Sequence, residues 1–187
     1  MDAIVWIVGV VVVIALIAAF VVWIVKRSNA KYAQLWPALA SMVDGTFKSS
    51  KMTGTYNGMP VQARINAVSN DNSTEYFYEL TLTPGAQGKD WALSYTGDKL
   101  LGLGEKHWHI KTKDHALEQR LSALGVIDLI EDWRGHPNVT YKSKHGILKY
   151  ETRVHNAFEL PAPDQFKAQL DLLARLAQIN AQANVAA

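Results

Sequence analysis

Apolar residues are laid out along this chain in three patterns: one unbroken run, several period-two alternations, and stripes recurring every three to four positions. The unbroken run comes first. Residues 3–25 read AIVWIVGVVVVIALIAAFVVWIV, without a charge, an Asn, a Gln, a Ser or a Pro. At about 1.5 Å per residue a helix of that length reaches about 34 Å, enough to cross a hydrocarbon core of about 30 Å. Trp6 and Trp23 stand near its ends, and Lys26 and Arg27 close it, the usual interfacial anchors. A cleaved secretory signal would need a basic start, a shorter apolar core and a small-residue cleavage site. This run has only Met1 and Asp2 before it and its basic residues after it, so residues 1–27 are expected to be a permanent single-pass anchor. Lys26, Arg27 and Lys31 on the C-terminal side place the N-terminus outside and the remaining domain in the cytoplasm, at the cell's inner membrane.

Alternation follows the anchor. Residues 53–56, then Asn57-Gly58, then residues 59–65 read as strand, type I′ turn and strand. Met59, Val61, Ala63 and Ile65 form one face of the second strand, with Pro60, Gln62 and Arg64 on the other. Residues 69–73 (SNDNS) read as a polar loop and residues 75–82 (EYFYELTL) as another strand. After a turn at 84–89, strands are expected at 91–95 and Lys106–Thr112, and a second hairpin at 139–142 and Ile147–Val154.

Helical spacing appears in three places. Leu35, Leu39, Met42 and Val43 suit a helix in 32–43, although Pro37 argues for a break or a start there. Asp114 is a natural N-cap for a helix carrying Leu117, Leu121 and Leu124, and Gly125 divides it from a continuation with Ile127, Ile130 and Trp133. A last helix over 164–180 presents Phe166, Leu170, Leu173 and Ala177, flanked by Leu172, Leu176 and Ile179. The expected fold class is therefore α+β: the anchor, a short polar collar at 28–31, one domain over 32–180 of antiparallel hairpins packed with two to three helices, and a frayed tail at 181–187.

Composition narrows the chemistry. There are no cysteines, which removes disulfides, thiolate metal sites and cysteine nucleophiles. A formal charge of +2 is too mild for a dedicated nucleic-acid binder. The apolar run over 3–25 holds no ionisable group, so it can neither conduct ions nor relay protons, and it offers no His ligand. Gly9, with Ala15 and Ala19 at small-xxx-small spacing, offers a surface on which another helix can pack.

The most suggestive polar stretch is Lys106–Thr112 with the lysine that follows it. On a strand Trp108 and Ile110 point one way, while His107, His109, Lys111 and Lys113 point the other. The two histidines have the spacing of metal ligands, but the neighbouring lysines repel a cation and a third ligand must come from elsewhere. The same alternation turns Lys142, Lys144, Lys149 and Arg153 outward in the last hairpin. If these strands are neighbours, the eight side chains make a basic sheet face suited to an acidic subunit or to anionic headgroups. No nucleophile elbow, zinc helix motif or phosphate loop is present, and Gly102-Leu103-Gly104 is only a turn. Glu131, Asp132 and His136 have the makings of a charge relay but read better as the polar end of a helix and its loop.

The expected function is thus that of a non-enzymatic accessory, assembly or scaffold subunit of a larger membrane complex, with an energy-transducing complex, photosynthetic or respiratory, as one concrete case. Its expected partners are integral-membrane subunits and membrane lipids, with no nucleic acid and no cofactor. The alternative is a membrane-tethered binder of anionic lipid or a small ligand, through the basic face or a groove between sheet and helices, and a third reading is an enzyme whose site is assembled from scattered residues.

Overall fold

A computed structural model describes residues 2–71, 73–85, 88–97, 106–130 and 136–182. Its first element, α1 (Asp2–Ala40), is one continuous helix. The polar residues 26–31 lie inside it, so the stretch expected as a collar is part of the helix that carries the anchor. Pro37 also lies inside it. A proline removes one intrahelical hydrogen bond, and here tertiary contacts hold the turn together regardless. Trp36 is fully buried and its Nε1 donates to Ser49 O at 3.0 Å, with Leu39 and Ala40 buried beside it. The helix passes into a 3₁₀ turn (Ser41–Val43) and ends at Asp44, whose φ of 46° is left-handed. Gly45 and Gly54 meet back to back just beyond. A Cβ on Gly45 would stand 2.5 Å from Thr53 O, and one on Gly54 would collide with Val43 O, so both positions require glycine.

Eight strands follow: β1 (Thr46–Lys48), β2 (Lys51–Tyr56), β3 (Met59–Asn70), β4 (Ser73–Leu82), β5 (Trp91–Gly97), β6 (Lys106–Thr112), β7 (Asn138–Lys142) and β8 (Ile147–Val154). They form a single antiparallel sheet in the order β1-β2-β3-β4-β8-β7-β5-β6. The β2–β3 turn has Asn57 at φ 50° and Gly58 at φ 77°, as the Asn-Gly pair requires of a type I′ turn. Ser69, Asn70 and Ser73, expected in a loop over 69–73, are strand residues. β3 runs through Asn70 and β4 starts at Ser73, with Asn70 opposite Ser73. The polar composition of that stretch marks a tight hairpin at the end of two long strands.

Register explains where the core sits. Met52, Ala63, Leu80, Tyr150, Val139, Leu93 and Ile110 lie side by side across seven strands. Apolar side chains in register on one face demand a cover. Three helices supply it: the end of α1, α2 (His115–Ala123) and α4 (Pro163–Gln182), packing with the sheet as one hydrophobic cluster that also takes in α3 (Val126–Ile130). Asp114 caps α2 as expected, its carboxylate accepting from Ala116 N and Leu117 N. Trp133 lies outside the described residues. The architecture is α+β: one long N-terminal apolar helix, an eight-stranded antiparallel sheet and further helices on its apolar face.

The first part of α1 stands apart from this core. Its described side chains from Val8 to Val25 are solvent-exposed, and the helix is long and apolar enough to cross a membrane. Nothing packs near Gly9, and Ala15 and Ala19 are exposed. Phe20 stacks on Trp23 and the Arg27 guanidinium lies 5.3 Å from the Trp23 ring, which gathers aromatic and cationic groups at one end of the apolar run. Trp6 is exposed near the other end, and Lys26 is exposed beside Arg27.

Candidate functional site: an open polar face and a cleft under the last helix

One residue along each strand from the core row runs the opposite row: Thr53, Gln62, Thr81, Lys149, Thr140, Ala92 and Lys111. This face is polar. It brings His109, Lys111, Lys142, Lys149 and Arg153 onto one surface of adjoining strands β6, β5, β7 and β8, as period-two alternation requires. Lys144 is exposed in the β7–β8 turn and Lys113 just beyond β6, so neither is a strand residue. His107 lies in β6 opposite Thr96, and its side chain is outside the described ones. Lys142, Lys149 and His145 line a shallow groove of about 450 Å³ there.

Carboxylates are interleaved with these cations, which a strand-by-strand reading could not register. Lys149 pairs with Glu151 at 2.8 Å, Arg153 with Glu75 at 2.9 Å, and Lys142 with Asp90 at 3.7 Å. Asp90 also accepts from the Ser143 backbone and hydroxyl, and these hydrogen bonds, with Lys142, hold its carboxyl below the usual range. In the middle of the sheet Glu79 is only 7% exposed. Burial pushes its carboxyl up, but the Arg64 hydrogen bonds at 2.7 Å, the Arg64 charge and Lys149 outweigh burial and leave it lowered. Asn66 donates to its other oxygen at 2.5 Å. The face is therefore a mixed-charge lattice rather than a uniform basic patch.

The second feature lies on the other side of the sheet. A cleft of about 880 Å³ opens where the N-terminal half of α4 lifts off the ends of β4 and β8. Tyr76, Tyr78, Tyr150 and Thr152 line it from the strands, Gln165 and Gln169 from α4, and the loop between β8 and α4 forms a rim. Tyr78 and Tyr150 meet edge to face with centroids 6.3 Å apart. Burial drives both phenols well above their ordinary pKa, so they stay neutral. Gln169 is 2% exposed and its Nε2 lies 3.5 Å from Tyr150 Oη. Two buried polar atoms lining the cleft have no hydrogen-bond partner in the protein: the Tyr78 hydroxyl and Gln169 Oε1. Such groups cost about 1–3 kcal/mol each when left unmade.

His136 reaches this cleft as well, stacked on Tyr95 with centroids 4.0 Å apart. Glu131 and Asp132, its partners in the considered relay, are outside the described residues. Among the described residues no three His, Asp or Glu side chains come together as a metal site. Sequence reasoning expected a groove between sheet and helices but did not assign residues to it, although one signal was present. Gln169 stands three residues after Phe166 and one before Leu170, a polar residue inside an apolar stripe.

The cleft rim is tied to α1. Tyr32 donates from its hydroxyl to Ala157 O at 2.7 Å and packs its ring on Phe158 at 5.0 Å. The Lys31 ammonium stands 4.5 Å from the Phe158 ring centroid. Comparison with protein-family models, characterised proteins and solved structures finds no match for the chain.

Proposed function

We propose that this protein is a single-pass membrane protein whose domain serves as a non-catalytic accessory or scaffold subunit of a larger membrane complex. One observation carries the reading: the spanning segment and part of the domain core are the same helix. Val25 and Tyr32 are about 10 Å apart along the helix axis at about 1.5 Å per residue, with no flexible linker between them. A domain mounted this way keeps a set orientation to the bilayer, which suits a part that positions other proteins. The polar sheet face, opposite the helices, gives a partner a broad surface of paired charges, where complementarity confers specificity more than affinity. The exposed anchor surface around Gly9, Ala15 and Ala19 offers a second contact within the membrane. By the flanking charge of Lys26, Arg27 and Lys31 the domain is cytoplasmic and the N-terminus outside.

Native purification in mild detergent tests the proposal. The full chain should run with a stoichiometric set of membrane subunits and a mass well above that of one chain. The combined Lys111→Glu, Lys113→Glu, Lys142→Glu and Lys144→Glu variant should shed that set while keeping the wild-type melting midpoint. A chain that purifies alone overturns the subunit reading, and digestion of the domain by protease applied outside the cell overturns the orientation. A second reading, a membrane-tethered binder of lipid or a small ligand, draws on the cleft.

A further inference from the structure

The cleft between α4 and the ends of β4 and β8 has three properties that together specify an occupant. The first is hydrogen bonding. Gln169 Oε1 is an acceptor without a donor, and the Tyr78 hydroxyl has neither donor nor acceptor. A hydroxyl both donates and accepts, so it satisfies both atoms. A quaternary ammonium has no hydrogen to give Gln169. Glu75, Arg153 and Glu159 also line the cleft, but Glu75 and Arg153 are paired with each other and Glu159 accepts from His155 N. At Tyr78, Tyr150 and Gln169 a primary ammonium or a carboxylate would meet only neutral groups, a costly burial. The second property is size: about 880 Å³ matches a whole polar headgroup rather than one or two waters.

The third is position. The rim loop is fastened to α1 by the Tyr32 hydrogen bond to Ala157 and the Tyr32–Phe158 contact, about 10 Å of helix beyond the apolar run. That is the headgroup layer if the helix spans the membrane. Lys31 stands at the same level, over the Phe158 ring, where its ammonium can meet a phosphodiester.

We infer that this cleft binds the hydroxyl-bearing headgroup of a membrane phospholipid, with its polyol on Tyr78 and Gln169 and its phosphate toward Lys31. The inference rests on α1 being a membrane span and is independent of any protein partner. It also explains why a Gln interrupts the apolar stripe of α4.

The test uses the full chain in nanodiscs, with phosphatidylglycerol and phosphatidylserine competing in a phosphatidylcholine background. These two anionic lipids carry the same net charge, and only the first ends in a polyol. Retained lipid is quantified by mass spectrometry. Wild type should favour phosphatidylglycerol at least fivefold. Tyr78→Phe removes an unpartnered hydroxyl, so its melting midpoint in lipid-free detergent should equal or exceed wild type. The same variant should lose about five- to tenfold of the preference, the worth of one hydrogen bond. Gln169→Leu should lose it as well. Equal retention of the two lipids, or a preference unaltered in Tyr78→Phe, overturns the inference. Free glycerol phosphate displacing the lipid at equal concentration overturns it in favour of a soluble polyol phosphate site. Flotation with phosphatidylcholine liposomes separates the two levels: a chain that does not float refutes the anchor, whereas one that floats without lipid preference refutes only the cleft.

Discussion

The two faces of the sheet are made by the same eight strands, offset by one residue, and they have opposite fates. On one face Met52, Ala63, Leu80, Tyr150, Val139, Leu93 and Ile110 form a row that helices cover. On the other, Lys51, Arg64, Glu79, Glu151 and Asn138 form a polar row in which Arg64 meets Glu79, while Lys51 stands opposite Arg64 and Glu151 opposite Glu79. The apolar row contributes through area removed from water and needs no particular partner at each position. The polar row contributes only where a cation meets a carboxylate at close range. A slip of one residue in any strand would exchange the two faces, so burial of the apolar row selects the register.

The largest effect should come from the covered face. Leu80→Ala, at a position with no exposure, should lose about 2–5 kcal/mol in denaturant unfolding, while Thr81→Ala on the other face should stay within about 0.5 kcal/mol. Equal losses would dissolve the distinction between the faces.

Glu79→Gln comes next. It deprives Arg64 of its partner carboxylate at a nearly buried site and should cost about 1–3 kcal/mol at neutral pH. The folded carboxyl is held below its ordinary value, so its contribution is present above the unfolded pKa of about 4.3 and is lost as pH falls through the lower folded value. Stability measured against pH should therefore show wild type and Glu79→Gln converging in acid. A constant gap across the range would mean that Glu79 acts by packing alone.

Arg153→Gln should be the mildest change. The Arg153 side chain is 66% exposed, and removing its pair with Glu75 should cost at most about 1 kcal/mol, shrinking as salt is added. A larger, salt-independent loss would show that the open face is as tightly built as the covered one.

Much of the fold was legible from residue order. Asn57-Gly58 located the first hairpin, Asp114 located the start of α2, and Lys106–Thr112 and Ile147–Val154 were read with their observed bounds. These signals are local, because a turn type, a cap or an alternation is decided within a few residues. Pro37 misled for the same reason. Its local preference for a break or a start is outweighed by the burial of Tyr32, Trp36 and Leu39 in the core.

The open face was half legible. Alternation gave the outward direction of His109, Lys111, Lys142, Lys149 and Arg153, but the carboxylates that answer them are on other strands. Glu75 is far from Arg153 in sequence and becomes its neighbour only because β4 pairs with β8. Of the cleft, only a groove between sheet and helices and the polar Gln169 in the apolar stripe were legible, not the residues that come together there. Tyr78, Tyr150 and Gln169 come from two strands and a helix, and nothing local distinguishes a Tyr with an unpartnered hydroxyl from one in a satisfied core.

By itself the sequence determined the long apolar N-terminal run, the turns, the caps and the inward and outward sides of each strand, since these follow from composition and short-range sterics. Only the tertiary structure decided the strand order, the pairing of charges across strands, the continuity of the apolar run and the core turns as one helix, and the cleft beneath α4. Those depend on long-range contacts, whose free energy comes from burying surfaces that no short stretch of the chain can bury alone.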